Sequence, residues 1–364
     1  MNADQLARLR SLRPRRVCLI KPSSLGDVVH AFPLLACLRR HWPDAKLSWV
    51  VNRGLRSLLD GHPDVDEVIP FDRNQIKLRP GAVGALGRFL LDLRSREFDL
   101  TIDLQGLLRS GIMALATGAP VRVGLASARE GAWLCTNHRV DDGGLEIHAV
   151  DRLLKVAEAF GADIESPAAS VAFSSDDLLW AKAELDRLPR PWVALNVGAR
   201  WLTKRWLPES FAEVARRAQS VLGAGLILVG APEDRPLVDR VKSALGSTPS
   251  PPLDLCGRTT LPRLAALASQ VDLFLSNDTG PLHLAAASGA PCVGVYTCTS
   301  PTRTGPYGVR SVAARSCVWC APSYRKSCDR MECMSELSPD RVWAVVQSHL
   351  AACFAADGTR MGHG

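Results

Sequence analysis

Three stretches of the chain combine residue types that can carry out group transfer. The first is Lys21-Pro22-Ser23-Ser24-Leu25-Gly26-Asp27-Val28-Val29-His30, which follows an apolar run at 17–20. Gly26 permits a tight turn. Asp27 is placed either to cap the next helix or, at the mouth of a cleft, to take a proton from a substrate hydroxyl. The second stretch is Ser276-Asn277-Asp278-Thr279-Gly280-Pro281-Leu282-His283, at the end of another apolar run. Asp278 and Thr279 can cap a helix, Gly280 lets a ligand approach the backbone, and Pro281 suits a first helical turn. The free N–H groups there would suit a diphosphate, although a plain capped helix reads the same way. The third is Gly198-Ala199-Arg200-Trp201-Leu202-Thr203-Lys204-Arg205-Trp206. Its three cations within six residues can neutralise a departing diphosphate. A solvated basic loop is the plainer alternative, and the two tryptophans weigh against it because indoles are costly to leave in water. A fourth stretch, 99–106, ends in Asp103 and Gln105 and is followed by Arg109, Arg122 and Arg129, which can read carboxylates or phosphates. No G-x-G-x-x-G and no G-x-x-x-x-G-K-[ST] accompanies the first stretch, so neither a dinucleotide site nor a P-loop is supported there.

The elements that must hold these residues alternate. Strands are predicted at 17–20, 47–51, 68–71 and 100–103, with helices at 28–40 and about 84–96. The alternation pauses over 164–191, which contains Pro167, a Ser/Asp cluster and Pro189-Arg190-Pro191. It resumes with strands at 192–196, 226–229, 254–256, 273–276 and 292–296, separated by helices at 207–218, 236–245, 261–268 and 281–288. This is the pattern of two doubly wound α/β domains joined near 165–190. Ligands are then expected at the carboxyl ends of strands, facing an interdomain cleft.

The chain has 364 residues, with 44 Lys and Arg against 37 Asp and Glu, a net charge of +7. That balance favours anionic partners. The basic residues are dispersed and form no nucleic-acid-binding module, so nucleic acid is not an expected partner. No run of 18 uncharged apolar residues is present, and the polar, basic start lacks a signal-peptide apolar core, which leads to the expectation of a cytoplasmic protein. Of eleven cysteines, seven are scattered in mostly apolar surroundings. The other four, Cys317, Cys320, Cys328 and Cys333, fall within 17 residues and can form a Cys₄ zinc site, a redox-sensitive disulfide pair, or remain free thiols.

Together, the stretches 21–35 (KPSSLGDVVHAFPLL), 102–110 (IDLQGLLRS), 203–215 (TKRWLPESFAEVA) and 277–308 (NDTGPLHLAAASGAPCVGVYTCTSPTRTGPYG) resemble glycosyltransferase family nine, the bacterial ADP-heptose:lipopolysaccharide heptosyltransferases. The resemblance runs from about 15 to 350. It implies a GT-B fold, two Rossmann-like domains facing a cleft. The implied division is a basic tail at 1–14, an acceptor domain at 15–175, a nucleotide-sugar domain at 176–338, and a C-terminal helix from 339 that crosses back to the first domain. The implied reaction is inverting, metal-independent transfer of heptose from ADP-heptose to a Kdo or heptose of the lipopolysaccharide inner core. Asp27 matches the catalytic base, and Lys204 matches the contact to the donor diphosphate. Asp278, Thr279, Gly280 and His283 match the donor loop. Arg200 and Glu233 are further donor candidates, Glu233 for the adenosine. Ser24, Gly26, Gln105, Arg109 and Arg129 are acceptor candidates. No cofactor is implied for the chemistry. The partners implied are ADP-heptose or a related nucleotide sugar and a lipid A-linked saccharide, with peripheral contact at the cytoplasmic face of the inner membrane. The alternatives are a family relative with another donor or acceptor, and a non-catalytic nucleotide-sugar-binding protein of envelope assembly.

Overall fold

The computed structural model describes residues 3–72, 82–165 and 170–356. The chain divides into two units, Met1–Ala172 and Phe173–Gly364. In the first, β1 (Arg16–Ile20), β2 (Lys46–Asn52), β3 (Glu67–Phe71), β4 (Leu100–Asp103), β5 (Val121–Leu125) and β6 (His138–Val140) form one sheet in the order β3-β2-β1-β4-β5-β6. In the second, β7 (Trp192–Asn196), β8 (Gly225–Val229), β9 (Leu253–Asp254), β10 (Leu273–Asn277), β11 (Cys292–Tyr296) and β12 (Ser311–Arg315) take the order β12-β11-β10-β7-β8-β9. Every neighbouring pair is parallel. Counted from each unit's first strand, both orders are 3-2-1-4-5-6 or its reverse, the Rossmann arrangement. The expected pair of doubly wound α/β units is therefore present.

The central strands are apolar throughout because both faces are covered by helices. Val17, Cys18, Leu19 and Ile20 of β1 are fully buried, as are Leu226, Ile227, Leu228 and Val229 of β8. In the first unit Cys18, Ile20, Val50 and Phe71 pack with Phe89, Leu93 and Met113. In the second, Trp206 and Phe211 join Val193, Leu195, Leu275 and Val295 in one core.

Several elements differ from the sequence expectation. The helix predicted at 28–40 is two helices, Leu25–Val29 and Phe32–His41. Pro33 has no N–H for the carbonyl four residues earlier, so it starts a new helix at its second position instead of continuing the old one. The basic segment at 1–14 is not all tail: Ala3–Arg10 is helical and buries Leu9. The helix Ser175–Leu185 lies within the stretch expected to join the domains, while Pro167 of that stretch falls outside the described residues. The last helix, Pro339–Ala356, sends Val342, Trp343, Val346 and Leu350 into the core of the second unit. Among the described residues no helix is long and apolar enough to cross a membrane.

Candidate active site

Each unit gathers its chemistry where its strand order reverses, which in an open parallel sheet is where ligands bind. In the first unit that point lies between β1 and β4, whose ends are in register at Ile20 and Asp103. The chain leaving β1 carries Lys21 to Asp27, and the chain leaving β4 carries Gln105 and Gly106. Lys21, Asp27, Gln105, Gly106, Arg129 and Arg152 are among the residues around a cavity of about 300 Å³.

Asp27 is half-buried at the third position of its short helix. The backbone N–H of Ser24 (2.8 Å) and the Ser24 hydroxyl (2.6 Å) both donate to its Oδ2. Behind it, Lys21 is buried and donates to the Leu104 carbonyl at 2.8 Å. Burial pulls the Lys21 pKa down, and the charges of Asp27 and Asp103 oppose that. Asp103 is also buried. Its Oδ1 accepts from the N–H groups of Gln105 (3.0 Å) and Gly106 (3.1 Å), and its Oδ2 accepts from Ser110 at 3.0 Å. Burial pushes the Asp103 pKa up, and these hydrogen bonds offset part of the rise. Asp103 therefore folds the loop and is not presented to the cavity as a base. Gln105 Oε1 accepts from the Ser23 N–H at 3.4 Å, which ties the two loops together.

Also in the lining, Arg152 donates from Nε to Asp142 at 2.9 Å and from Nη2 to the Ser127 hydroxyl at 2.6 Å. Burial would raise the Asp142 pKa, but the hydrogen bonds from Ser127 and Arg152 and the Arg152 charge bring it below the ordinary value. Arg152 is thus a cation held in place on the cavity wall. Of the acceptor candidates, Gln105 and Arg129 line the cavity, while Ser24 and Gly26 act on the loop that presents Asp27. Arg109 lies on the following helix, Leu108–Ala116, and does not line the cavity. Lys21, Asp142 and Arg152 were not singled out from the sequence. Lys21 stood inside a stretch already recognised, but nothing local in sequence marks Asp142 or Arg152.

In the second unit the reversal lies between β7 and β10, with Asn196 opposite Ser276. Asn277 accepts from the Trp206 N–H at 3.1 Å and donates to the Val197 carbonyl at 2.8 Å, joining the basic loop to the end of β10. Trp206 is fully buried, and its indole N–H donates to the Leu337 carbonyl at 2.8 Å. The loop is therefore anchored in the core, and the solvated-loop reading does not hold for it.

Asp278 is the centre of this half. Lys204 Nζ stands 2.6 Å from its Oδ2, the Thr299 hydroxyl donates to the same oxygen at 2.6 Å, and His283 Nε2 lies 3.5 Å from Oδ1. Burial would raise its pKa, but the His283 hydrogen bond and the Lys204 and His283 charges outweigh it and bring the group to about 2. Asp278 is thus a fixed anion that aims a lysine. Thr279 and Gly280 begin the helix Gly280–Ala287 beside it. Arg200 is exposed, next to Trp201 and Lys326 around a shallow surface hollow. Lys204 also lies 4.9 Å from the centre of the Trp201 ring, within cation–π range.

Glu233 lies exposed in the turn Pro232–Asp234. Its neighbour Asp234 accepts from the Ala231 N–H at 3.0 Å and presses on Gly198, where a Cβ would come within 2.2 Å of its carboxyl group. Asp234 and Thr299 are further residues that the sequence reading missed. Both act across loops that meet only through the sheet.

The four clustered cysteines do not converge as a set. A cavity of about 340 Å³ is bordered by Cys320, Cys328 and Cys333 together with Cys298, which follows β11. Cys317 does not border it, and its Sγ lies 3.5 Å from Arg341. Burial first, and then the neighbouring thiols, push Cys333 up to about 11. Among the described residues no group of three or more His, Cys, Asp or Glu stands where it could hold a metal ion. All eleven cysteines are free thiols, and the seven scattered ones are all buried.

This geometry has relatives. Residues 86–334 match the family described as glycosyltransferase family 9 (heptosyltransferase). The lipopolysaccharide core heptosyltransferase OpsX of Haemophilus influenzae is 31% identical over 81% of this chain and 82% of its own length. A family 9 glycosyltransferase of Veillonella parvula superposes with a TM-score of 0.79 at 22% identity, over 93% of this chain and 97% of that one. The E. coli heptosyltransferase WaaC, solved with ADP-2-deoxy-2-fluoro heptose, superposes at 0.68 with 25% identity, over 92% of this chain and 99% of that one.

Proposed function

The chain belongs to glycosyltransferase family 9, the heptosyltransferases of GT-B fold, and on that premise we propose that it transfers heptose from ADP-heptose to a Kdo or heptose hydroxyl of the lipopolysaccharide inner core, with inversion and without a catalytic metal. The observation that carries the reading is the contrast between two carboxylates. Asp27 sits at the edge of a cavity with cationic walls, held by Ser24 through one oxygen. Asp278 is locked into an ion pair with the lysine that matches the donor contact.

In the proposed reaction the acceptor hydroxyl gives its proton to Asp27 while its oxygen attacks the anomeric carbon. The C–O bond to the diphosphate breaks from the opposite face, so the configuration inverts and ADP leaves. Charge builds on the leaving phosphate. Lys204 and the free N–H groups at the start of Gly280–Ala287 supply positive potential for it, which is the role a metal plays elsewhere. Thr279, Gly280 and His283 shape that end, Arg200 adds charge at the loop edge, and Glu233 is assigned to the donor adenosine. Lys21, Arg129 and Arg152 give the acceptor cavity a cationic wall that suits an acidic sugar. Work at the cytoplasmic face of the inner membrane is part of the same proposal.

The test is a mass-spectrometric transfer assay with ADP-heptose and an inner-core acceptor. Wild-type protein should turn over, and Asp27→Ala should lose about 10²-fold or more in kcat while still binding ADP. Undiminished transfer by Asp27→Ala removes it as base. Turnover only with another nucleotide sugar would make the chain a relative with a different donor. Tight ADP-sugar binding with no turnover on any acceptor would make it a binding protein.

A further inference from the structure

The helix Leu108–Ala116 buries Ser110, Gly111, Met113 and Ala114. Its opposite face leaves Leu108, Ile112 and Leu115 between 42% and 51% exposed. Their spacing puts them on one side of a helix. The adjoining turn, Ala132–Cys135, buries its first and last residues and exposes Trp133 and Leu134, the latter at 79%. Helix and turn pack backbone to backbone through Gly111, where a Cβ would come within 3.1 Å of Ala132 Cα. Five large apolar side chains thus project from two elements in direct contact. They are five of the fourteen large hydrophobics exposed among the described residues. A soluble monomer seldom gathers so many in one place without a use for them.

This face continues the acceptor cavity. The loop before the helix supplies Gln105 and Gly106 to the cavity wall, and the loop before the turn supplies Ala128 and Arg129. The Arg129 N–H donates to the Gly106 carbonyl at 2.8 Å, and the Leu108 N–H donates to Glu130 at 3.3 Å, so the two loops form one rim. Leu145, also on the cavity wall, is 54% exposed. Apolar surface therefore begins where the cavity ends, with Arg129 in the rim between them.

We propose that the face formed by Leu108, Ile112, Leu115, Trp133 and Leu134 docks on the lipid bilayer that carries the acceptor, so that the saccharide enters the cavity while its acyl chains stay in the membrane. This rests on the lipid-linked acceptor of the proposed function. An acceptor of that kind is polar at one end and apolar at the other, and the apolar end lies within a few sugar lengths of the hydroxyl that reacts. The only surface that suits it is one in which a cationic cavity and an apolar face share an edge. A tryptophan at the margin fits the headgroup level, and a cation beside it fits anionic lipid. Half-exposed side chains on a short helix lie in the interface and do not cross it.

The test uses the full chain and vesicles of phosphatidylethanolamine and phosphatidylglycerol. Wild-type protein should float with the vesicles. The triple variant Ile112→Ser, Leu115→Ser, Leu134→Ser should partition on the order of 10-fold or more weakly. Its thermal melt should match wild type, since all three side chains are on the surface. With acceptor embedded in vesicles its KM should rise, while transfer to an acyl-free acceptor saccharide should be unchanged. Equal flotation of variant and wild type, or no flotation of either, overturns the proposal. So does a wild-type dimer in sedimentation that the variant breaks, because the face would then be covered by a second copy. If no acceptor of any kind is glycosylated, the functional reading fails by itself, and the flotation result still decides the surface.

Discussion

Asp27 in the first unit and Asp278 in the second begin from the same local design. Each follows a buried parallel strand, stands at the start of a helix, and has a lysine nearby. The environments then separate them. Asp27 is half-buried and accepts two hydrogen bonds from Ser24, three residues away in its own loop. Asp278 is almost wholly buried and held by Lys204, Thr299 and His283, which come from three separate segments. A carboxylate committed to three partners cannot take up a proton near neutrality, and its use is to orient the lysine. In Asp27 the Ser24 contacts fall on one oxygen, and the carboxylate stands in the lining of a cavity, where the proposed role as base would use it. The difference shows that a strand–turn–helix carboxylate acquires its role from what packs around it and not from its place in the turn.

The largest expected effect sharpens that contrast. Asp27→Asn keeps the Ser24 contacts but removes the base, so kcat should fall about 10²-fold or more at unchanged donor affinity. Loss of donor affinity instead would place Asp27 with Asp278 as a structural anion. Next, Lys204→Met leaves the buried Asp278 without its principal counter-charge. Donor affinity should fall roughly 10-fold or more and stability by roughly 2 kcal/mol, read by calorimetric titration with ADP and by chemical denaturation. A change in kcat alone, with binding and stability intact, would break the assignment.

A third test uses acid. The Asp278 pKa is about 2 in the folded chain against an ordinary 3.8. A depressed carboxylate contributes stability that is fully present above the unfolded value and is lost as pH falls through the folded one. About 2 kcal/mol should therefore be lost between pH 4 and pH 2. Asp278→Asn should show less acid destabilisation across that window. If its denaturation profile parallels wild type there, the ion pair is not what holds the loop. The smallest effect is expected at Gly198→Ala, where the new Cβ must push the Asp234 carboxyl off its hydrogen bond to Ala231. A loss of about 1 kcal/mol is expected, comparable to a helix cap.

Much of the fold was legible because the strands are short apolar runs that parallel pairing buries on both faces. The strands at 100–103, 192–196 and 292–296 were read to the residue. The break at Pro33 was missed because apolar spacing continues across it, while only the missing N–H forces two helices. The candidate site stands out in the sequence where its groups are local: Asp27, Lys204 and the Asp278–His283 stretch each carry their signal within a few residues. Thr299, Asp142 and Arg152 were not, because each reaches its partner from a different segment. The cysteines show the same limit. Spacing grouped Cys317 with the other three, but the cavity replaces it with Cys298, nineteen residues earlier.

The sequence alone determined two parallel α/β units and the loops in which their polar residues stand, since hydrophobic period and turn chemistry are properties of neighbouring residues. Only the tertiary structure decided which carboxylate is committed to an ion pair, which thiols share a cavity, and that an apolar face adjoins the cavity beside Asp27. Those outcomes depend on burial and on contacts between segments far apart in the chain, and local composition does not encode either.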